Sequence, residues 1–202
     1  MANELISKQQ LELLTREAKS FGASASAIIL SKEILVKDDL AALCNGDYPC
    51  PNYGIAASCP PNVEGPGEFR KWQAQSNYSI TVKIELSASI MFSDGREDVM
   101  QLLHEIVAAV EQKAIEIGFG QSKAFACGSC KKLFCDDHET CCVVAENIPC
   151  RHMESARPSM SGFGIDVTQL MISSGWSALK AKDANLSNKD TTSWVAGLIL
   201  LA

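Results

Sequence analysis

The sequence predicts an α+β fold: an α/β sandwich with a mixed sheet, flanking helices and two cysteine-rich, metal-binding loops. Three observations predict it. Segments whose apolar residues recur at helical spacing alternate along the chain with segments of strand-like spacing. The clearest helical segment, residues 96–118, is long enough to cover a sheet. The nine cysteines fall into two stretches rich in turn residues, where neither period continues.

Taken in order, Ser7 is a suitable N-cap for a helix running to residue 20. Leu11, Leu14 and Ala18 share one of its faces, and Gly22 stops it. "SASAIILSKEILV", residues 24–36, reads as a strand. Asp38 to Leu43 make a short helical turn. Residues 44–67 contain five prolines and four glycines and cannot form a long regular element. A helix restarts over Glu68 to Ala74, and "YSITVKIELS", residues 78–87, alternates as a strand. In the helix at 96–118, Val99, Leu102, Leu103, Ile106, Val110 and Ala114 form an apolar stripe. His104 is expected at its surface or boundary. Gly118 and Gly120 end this helix, and "SKAFA" is a short strand that delivers the chain to Cys127. "VTQLMISSGW", residues 167–176, reads as helix, and "TTSWVAGLILLA", residues 191–202, as the final strand. No internal repeat, low-complexity tract or domain boundary interrupts the chain, so residues 1–202 are read as one domain.

A hydrophobic content of 47% with 21% charged residues is ordinary for a globular chain. A core of this size does not need disulfides to fold. The start, "MANELISKQQLELL", lacks the basic and apolar regions of a signal peptide. The longest apolar runs, "ASAIIL" and "WVAGLILLA", fall far short of the roughly 20 residues that cross a bilayer. The expectation is a cytoplasmic protein without a membrane partner. In that compartment nine thiols point to metal or catalysis rather than to disulfides. A net charge of −6, with no basic stripe interleaved with aromatics, gives no footing for nucleic acid. There is no Walker loop. The two "GFG" stretches are not dinucleotide fingerprints, and no Ser–His–Asp arrangement can be argued.

Six of the cysteines lie in residues 126–150: Cys127-x2-Cys130-x4-Cys135, the adjacent pair Cys141 and Cys142, and Cys150. A C-x2-C step lets two thiolates reach one centre from a single tight turn, which Gly128 helps to form. Loop N–H groups can offset the negative charge on sulfur. Three cysteines in nine residues with a fourth soon after is the ligand supply that a [4Fe–4S] cluster uses. The spacing is neither the bacterial nor the plant ferredoxin run. A zinc site would take pairs of thiolates from two loops. Cys127 and Cys130 would be one pair, and two of Cys135, Cys141, Cys142 and Cys150 the other, with His138 and His152 as substitutes. Spacing leaves iron–sulfur and zinc both open. A bare redox C-x-x-C leaves the other cysteines unexplained. Adjacent side chains diverge, so at most one of Cys141 and Cys142 is a ligand. The remaining one, ahead of "VVA", suits a small buried hydrophobe.

The other three cysteines form Cys44-x5-Cys50-x8-Cys59-Pro60-Pro61. Ordering so turn-rich a loop costs entropy with little apolar burial in return. A bound metal or cluster would supply the missing stabilisation. Three ligands with a fourth from elsewhere, or with an open fourth position, is the natural reading. An open position would suit an enzyme and a closed one electron transfer.

"C-x5-C-PNYG-x4-C-PPN" followed by "FR", together with "CGSC…C…PCRHMESARPSMSGFGIDV", resembles domain-of-unknown-function family 2284, the predicted metal-binding proteins of bacteria and archaea. The likeness runs from about residue 44 to 175, with a compatible ending in "GLILL". It implies metal binding by Cys44, Cys50, Cys59, Cys127, Cys130, Cys135 and Cys150. The sequence departs from the family pattern in Met153, where proline is expected, and in the extra Cys141–Cys142 pair. The family looks like the iron–sulfur proteins of anaerobes. That implies one or two [4Fe–4S] clusters in electron transfer or redox support of anaerobic metabolism, with a redox protein as candidate partner. The alternatives are a zinc-stabilised binding module without redox activity, or an enzyme with an open metal position.

Beside the cysteines, Arg151, Arg157 and Ser159 suit an anionic ligand, since arginine offers a planar donor fork. The competing reading has Arg157 satisfying loop carbonyls beside the metal site. Lys131 and Lys132 either offset cluster charge, meet a redox partner or sit in a solvated turn. Asp136, Asp137 and Glu139 read as solvated.

Overall fold

The structure is a computed structural model that describes residues 8–179 and 192–202. Its strands are β1 (Ala25–Leu30), β2 (Tyr78–Ser87), β3 (Lys123–Phe125) and β4 (Thr192–Leu201). Its helices are α1 (Lys8–Ser20), α2 (Asp38–Ala42), α3 (Gly65–Gln75), α4 (Ala88–Met91), α5 (Gly95–Glu116), α6 (Cys130–Phe134), α7 (Cys142–Glu146) and α8 (Val167–Ser173). The strands form one sheet in the order β1-β2-β4-β3, and every neighbouring pair is antiparallel.

The α+β class is as the sequence predicts, but the sheet is antiparallel rather than mixed. β2 and β3 run in the same direction, as strands on either side of the crossover helix α5 would. The last strand slots between them and pairs antiparallel to both, Tyr78 opposite Leu201 and Lys123 opposite Leu200. Reading helices and strands in alternation cannot reveal that insertion.

Being central and covered on both faces makes β4 a nearly unbroken apolar run. Val195, Ile199 and Leu201 join Ile80, Val82 and Ile84 of β2 beneath α1 and α5. Trp194, Ala196, Leu198 and Leu200 face the other way, onto Phe69 of α3, Phe125, Phe163, and Leu170 and Met171 of α8. The ring of Phe125 meets those of Phe69 and Phe163 edge-on at 5.1 and 5.0 Å. These rings fix the 3-10 turn Met160–Phe163, which carries part of the site described below.

Gly197 is the small residue that lets α5 approach β4. A Cβ there would meet Val107 Cγ1 at 2.5 Å and the Phe125 carbonyl oxygen at 3.1 Å. Gly197→Ala should therefore destabilise the fold by about 1–3 kcal/mol through overpacking. Denaturant unfolding, with the midpoint falling at unchanged slope, checks this.

The elements depart from the sequence reading at their ends. The first strand stops at Leu30, because Ser31 turns the chain into a 3-10 segment. The buried Ser31 hydroxyl shares hydrogen bonds with Ser76 at 2.9 Å and Ser79 at 2.7 Å. Val36 rejoins the fold through an isolated bridge to Ile165. α3 begins at Gly65 rather than Glu68, since Pro66 in a first turn has no needed N–H to lose. α8 ends at Ser173 rather than residue 176. The expected N-cap, Ser7, lies outside the described residues.

His104 is the clearest correction. It is fully buried rather than at the surface. Both ring nitrogens are used: the Arg157 backbone N–H donates to Nδ1 at 3.0 Å, and Nε2 meets the Cys127 carbonyl at 3.0 Å. A backbone N–H can only donate, so Nδ1 is the acceptor and Nε2 carries the proton. Burial lowers the pKa of His104 to about 4, so the ring is neutral near neutral pH. Among the described residues, no helix is long and apolar enough to cross a membrane.

Candidate metal centre

The first turn-rich loop is held by its own backbone. Cys50 N–H donates to the Cys44 carbonyl, Tyr53 N–H to that of Cys50, and Gly54 N–H to that of Pro60, at 3.1, 2.9 and 2.8 Å. The Asn62 side chain adds a bond to the Ala56 carbonyl at 3.1 Å. These turns bring Cys44, Cys50 and Cys59 to one cavity of about 140 Å³. Ser129, Ser159 and Ser161 add hydroxyls to its lining, and Gly162 lets the 3-10 turn press against Pro60. Burial pushes the Cys44 thiol pKa up, and the neighbouring Cys50 and Cys59 push the same way. Burial also raises Cys59, against the hydroxyls of Ser58 and Ser129.

Ser129 is unusual. It stands at the N-cap of α6, where a serine normally accepts a bond from the first helical turn, yet its side chain makes no such bond. The residue is 4% exposed, and its hydroxyl has no hydrogen-bond partner of standard geometry. The group it acts on is the Cys59 sulfur, a weak acceptor as a thiol and a stronger one as a thiolate. The hydroxyl belongs to the lining of the three-thiol cavity.

The second cavity is lined by Cys130, Cys135, Cys141, Cys142 and Cys150, with Lys131, Arg151 and His152 beside them. α6 presents Cys130 at its first residue, and Cys135 follows its last turn. The Lys131 ammonium pins the following loop by donating to the carbonyls of Cys135 at 2.7 Å and His138 at 2.6 Å. Burial pushes the Cys130 thiol up to about 11. Cys135 is raised by burial and then by Cys150. Cys141 goes the other way: burial is outweighed by the backbone N–H groups of Val144, Ala57 and Val143 and by Arg151, which hold its thiol below the usual range. Cys142 is buried, and its thiol donates to the Pro149 carbonyl at 3.5 Å.

The void among these five thiols is about 10 Å³, near the size of one water-sized sphere. Among the described residues, no group of three or more His, Cys, Asp or Glu side chains is set to hold a single metal ion. Loading either site therefore moves side chains. In the second site a multi-iron group enters only if the chain from 136 to 149 gives way; apart from His138 and the 141–143 segment, those residues are exposed.

The two cysteine stretches are stitched to the rest of the fold along residues 156–160. Ala126 N–H donates to the Pro158 carbonyl, and Met160 N–H to that of Ala126, at 2.9 and 3.0 Å. The Arg157 guanidinium donates to Glu111 at 2.6 Å and to the carbonyls of Met153 and Ala156 at 3.0 and 2.9 Å. Arg157 is thus an internal clamp that satisfies loop carbonyls.

The family described as predicted metal-binding protein (DUF2284) matches residues 27–201. This chain belongs to that family. No curated protein and no solved structure matches it. Membership in DUF2284 supports metal binding by this cysteine-rich chain and leaves the identity of the metal unassigned.

Of the seven cysteines implied by resemblance, Cys44, Cys50 and Cys59 come together at one cavity, and Cys130, Cys135 and Cys150 at the other. Cys127 lines neither and packs against the core under α5. Gly128, at φ 82, turns the chain between Cys127 and the start of α6 at Cys130. Cys141 and Cys142, which the resemblance does not include, line the second cavity as well, whereas His138 does not.

Proposed function

We propose that this DUF2284 protein holds a [4Fe–4S] cluster in each cysteine site and serves electron transfer or redox support in anaerobic metabolism, with a one-electron redox protein as partner. The observation that carries this reading is the partition of eight thiols into a set of three and a set of five, each around its own cavity, with Cys142 of the five tied to the Pro149 carbonyl. The donors fit the group. Thiolates are the cluster's ligands, the first cavity has room, and the buried Ser129 hydroxyl beside Cys59 is a donor that a sulfide or thiolate accepts. Cys44, Cys50 and Cys59 would hold one cluster; Cys130, Cys135, Cys141 and Cys150 would hold the other. Lys131 and Arg151 offset the negative charge of four thiolates. A [4Fe–4S] cluster takes up and releases one electron at a time. The nine free thiols suit a reducing compartment such as the cytoplasm.

Iron, zinc and acid-labile sulfide, measured with an absorption spectrum on protein purified without oxygen, test the reading. About eight irons and eight sulfides per chain with a broad visible band are expected. Colourless protein with zinc and no sulfide would overturn it. One observation favours a second reading, zinc at the four-thiol site, because its void of about 10 Å³ suits a single ion better than a cluster. About four irons plus one zinc would support that version.

Hydrogen bonds to sulfur raise a cluster's reduction potential by stabilising its more negative state. Ser129→Ala removes one such donor. A net bond of about 1 kcal/mol corresponds to roughly 40 mV for one electron, so the potential of the three-thiol site should fall by about that much. A redox titration followed by electron paramagnetic resonance checks this; an unchanged potential would remove Ser129 from the site.

A further inference from the structure

We infer that the two cysteine sites exchange electrons directly, through a strip of chain, Ala57–Ser58–Cys59, that belongs to both. The inference rests on the iron–sulfur reading above. Ala57 turns its backbone N–H toward the sulfur of Cys141 in the four-thiol site. The Ser58 hydroxyl accepts the backbone N–H of Cys130 at 3.1 Å and lies 3.7 Å from the sulfur of Cys59. The Ser58 carbonyl accepts the N–H of Ser159, in the lining of the three-thiol cavity, at 3.0 Å. Three consecutive residues of the first loop thus touch both thiol sets.

The strip is dry. Ser58 is 5% exposed, Cys59 8% and Cys130 7%. Cys59 and Cys130, one from each set, share a buried cluster with Ala56, flanked by Phe134 and Ala156. Electron transfer weakens steeply with separation and with intervening solvent. Here ligands of the two sites are joined by one peptide bond, one hydroxyl and one hydrogen bond. A structural role alone would not need Ser58 to reach both sulfur sets, since its carbonyl already ties the loops together.

The step moves a single electron from the reduced site to the oxidised one. No bond of the chain forms or breaks, and no proton is transferred. The electron enters from a one-electron donor, which is dithionite in the test and a reduced redox protein in the cell.

The test is electron paramagnetic resonance on the full chain, reconstituted with iron and sulfide and reduced stepwise with dithionite. Iron and sulfide are counted on the same samples. With eight irons per chain, the first electron should give the spectrum of an isolated reduced cluster. The second should add broadened features that power-saturate less easily, the mark of two interacting spins. Cys50→Ala should retain about four irons and give the isolated spectrum at full reduction. If that variant does not fold, the stepwise series on the parent chain decides alone. Eight irons with a fully reduced spectrum that is the plain sum of two isolated signals would overturn the inference and leave the iron–sulfur reading standing. Four irons or fewer, or zinc in either site, would overturn both, and the metal count tells the two failures apart.

Discussion

Cys141→Ala protein purified without oxygen should carry about half the iron and sulfide of the parent chain, whereas Cys142→Ala protein should carry all of it. The two residues are adjacent and chemically identical, so only their placement separates them. Both line the cavity with Cys130, Cys135 and Cys150, but Cys141 precedes α7, whereas Cys142 lies within it. Backbone N–H groups of Val144, Ala57 and Val143 hold the Cys141 thiol below the usual range, which favours the thiolate form that binds metal. Cys142 is the first residue of α7, 2% exposed, with its thiol on the Pro149 carbonyl. Its loss should cost about 1 kcal/mol of stability and no metal. Metal analysis of both variants beside the parent decides. Equal iron loss from both would mean that the pair serves loop structure. Loss from Cys142→Ala alone would exchange their roles.

That pair marks a limit of sequence reading. The cysteines of the first loop were legible because nothing else explains three thiols among five prolines and four glycines. Cys135 and Cys150 stood out likewise among polar and turn residues. The choice between Cys141 and Cys142 depends on where a five-residue helix starts, and terminal residues are the least certain part of any element. Cys127 and Cys130 likewise stand on either side of the start of α6, which begins at Cys130 itself. Ser58 and Ser129 carry no signal: a serine beside a cysteine is common, and only burial shows that their hydroxyls face sulfur. His104 did leave a trace. It lies seven residues before Glu111 on α5, so both lie on one side of the helix, and both meet Arg157. The strands were legible throughout, but their order was not, because the insertion of β4 between β2 and β3 is a long-range event.

Arg157→Ala should lower the unfolding free energy by about 3 kcal/mol, the loss typical of breaking a buried ion pair from one side. Arg157 and Glu111 have side chains each only 15% exposed, at 2.6 Å. The same carboxylate accepts the backbone N–H of Ala124 in β3, also at 2.6 Å. Removing the guanidinium leaves that carboxylate with one donor where it had two, and strips the carbonyls of Met153 and Ala156 of theirs. For a chain of this length the change corresponds to a melting temperature roughly 6–12 °C lower. Glu111→Gln keeps an acceptor for only one of the two donors and turns an amide NH2 toward the other, so it should destabilise the fold as well. The double variant Arg157→Ala, Glu111→Gln should fall short of the sum of the singles, since the two share one interaction. Thermal unfolding of the three proteins, all stripped of metal to remove stabilisation by ligand, provides the comparison. Because the clamp joins α5 and β3 to residues 153–157, just after Cys150, the same variants should also lose metal from the four-thiol site faster under a chelator. A melting temperature within about 2 °C of the parent would return Arg157 to the other role its planar fork allows, holding an anion beside the cysteines.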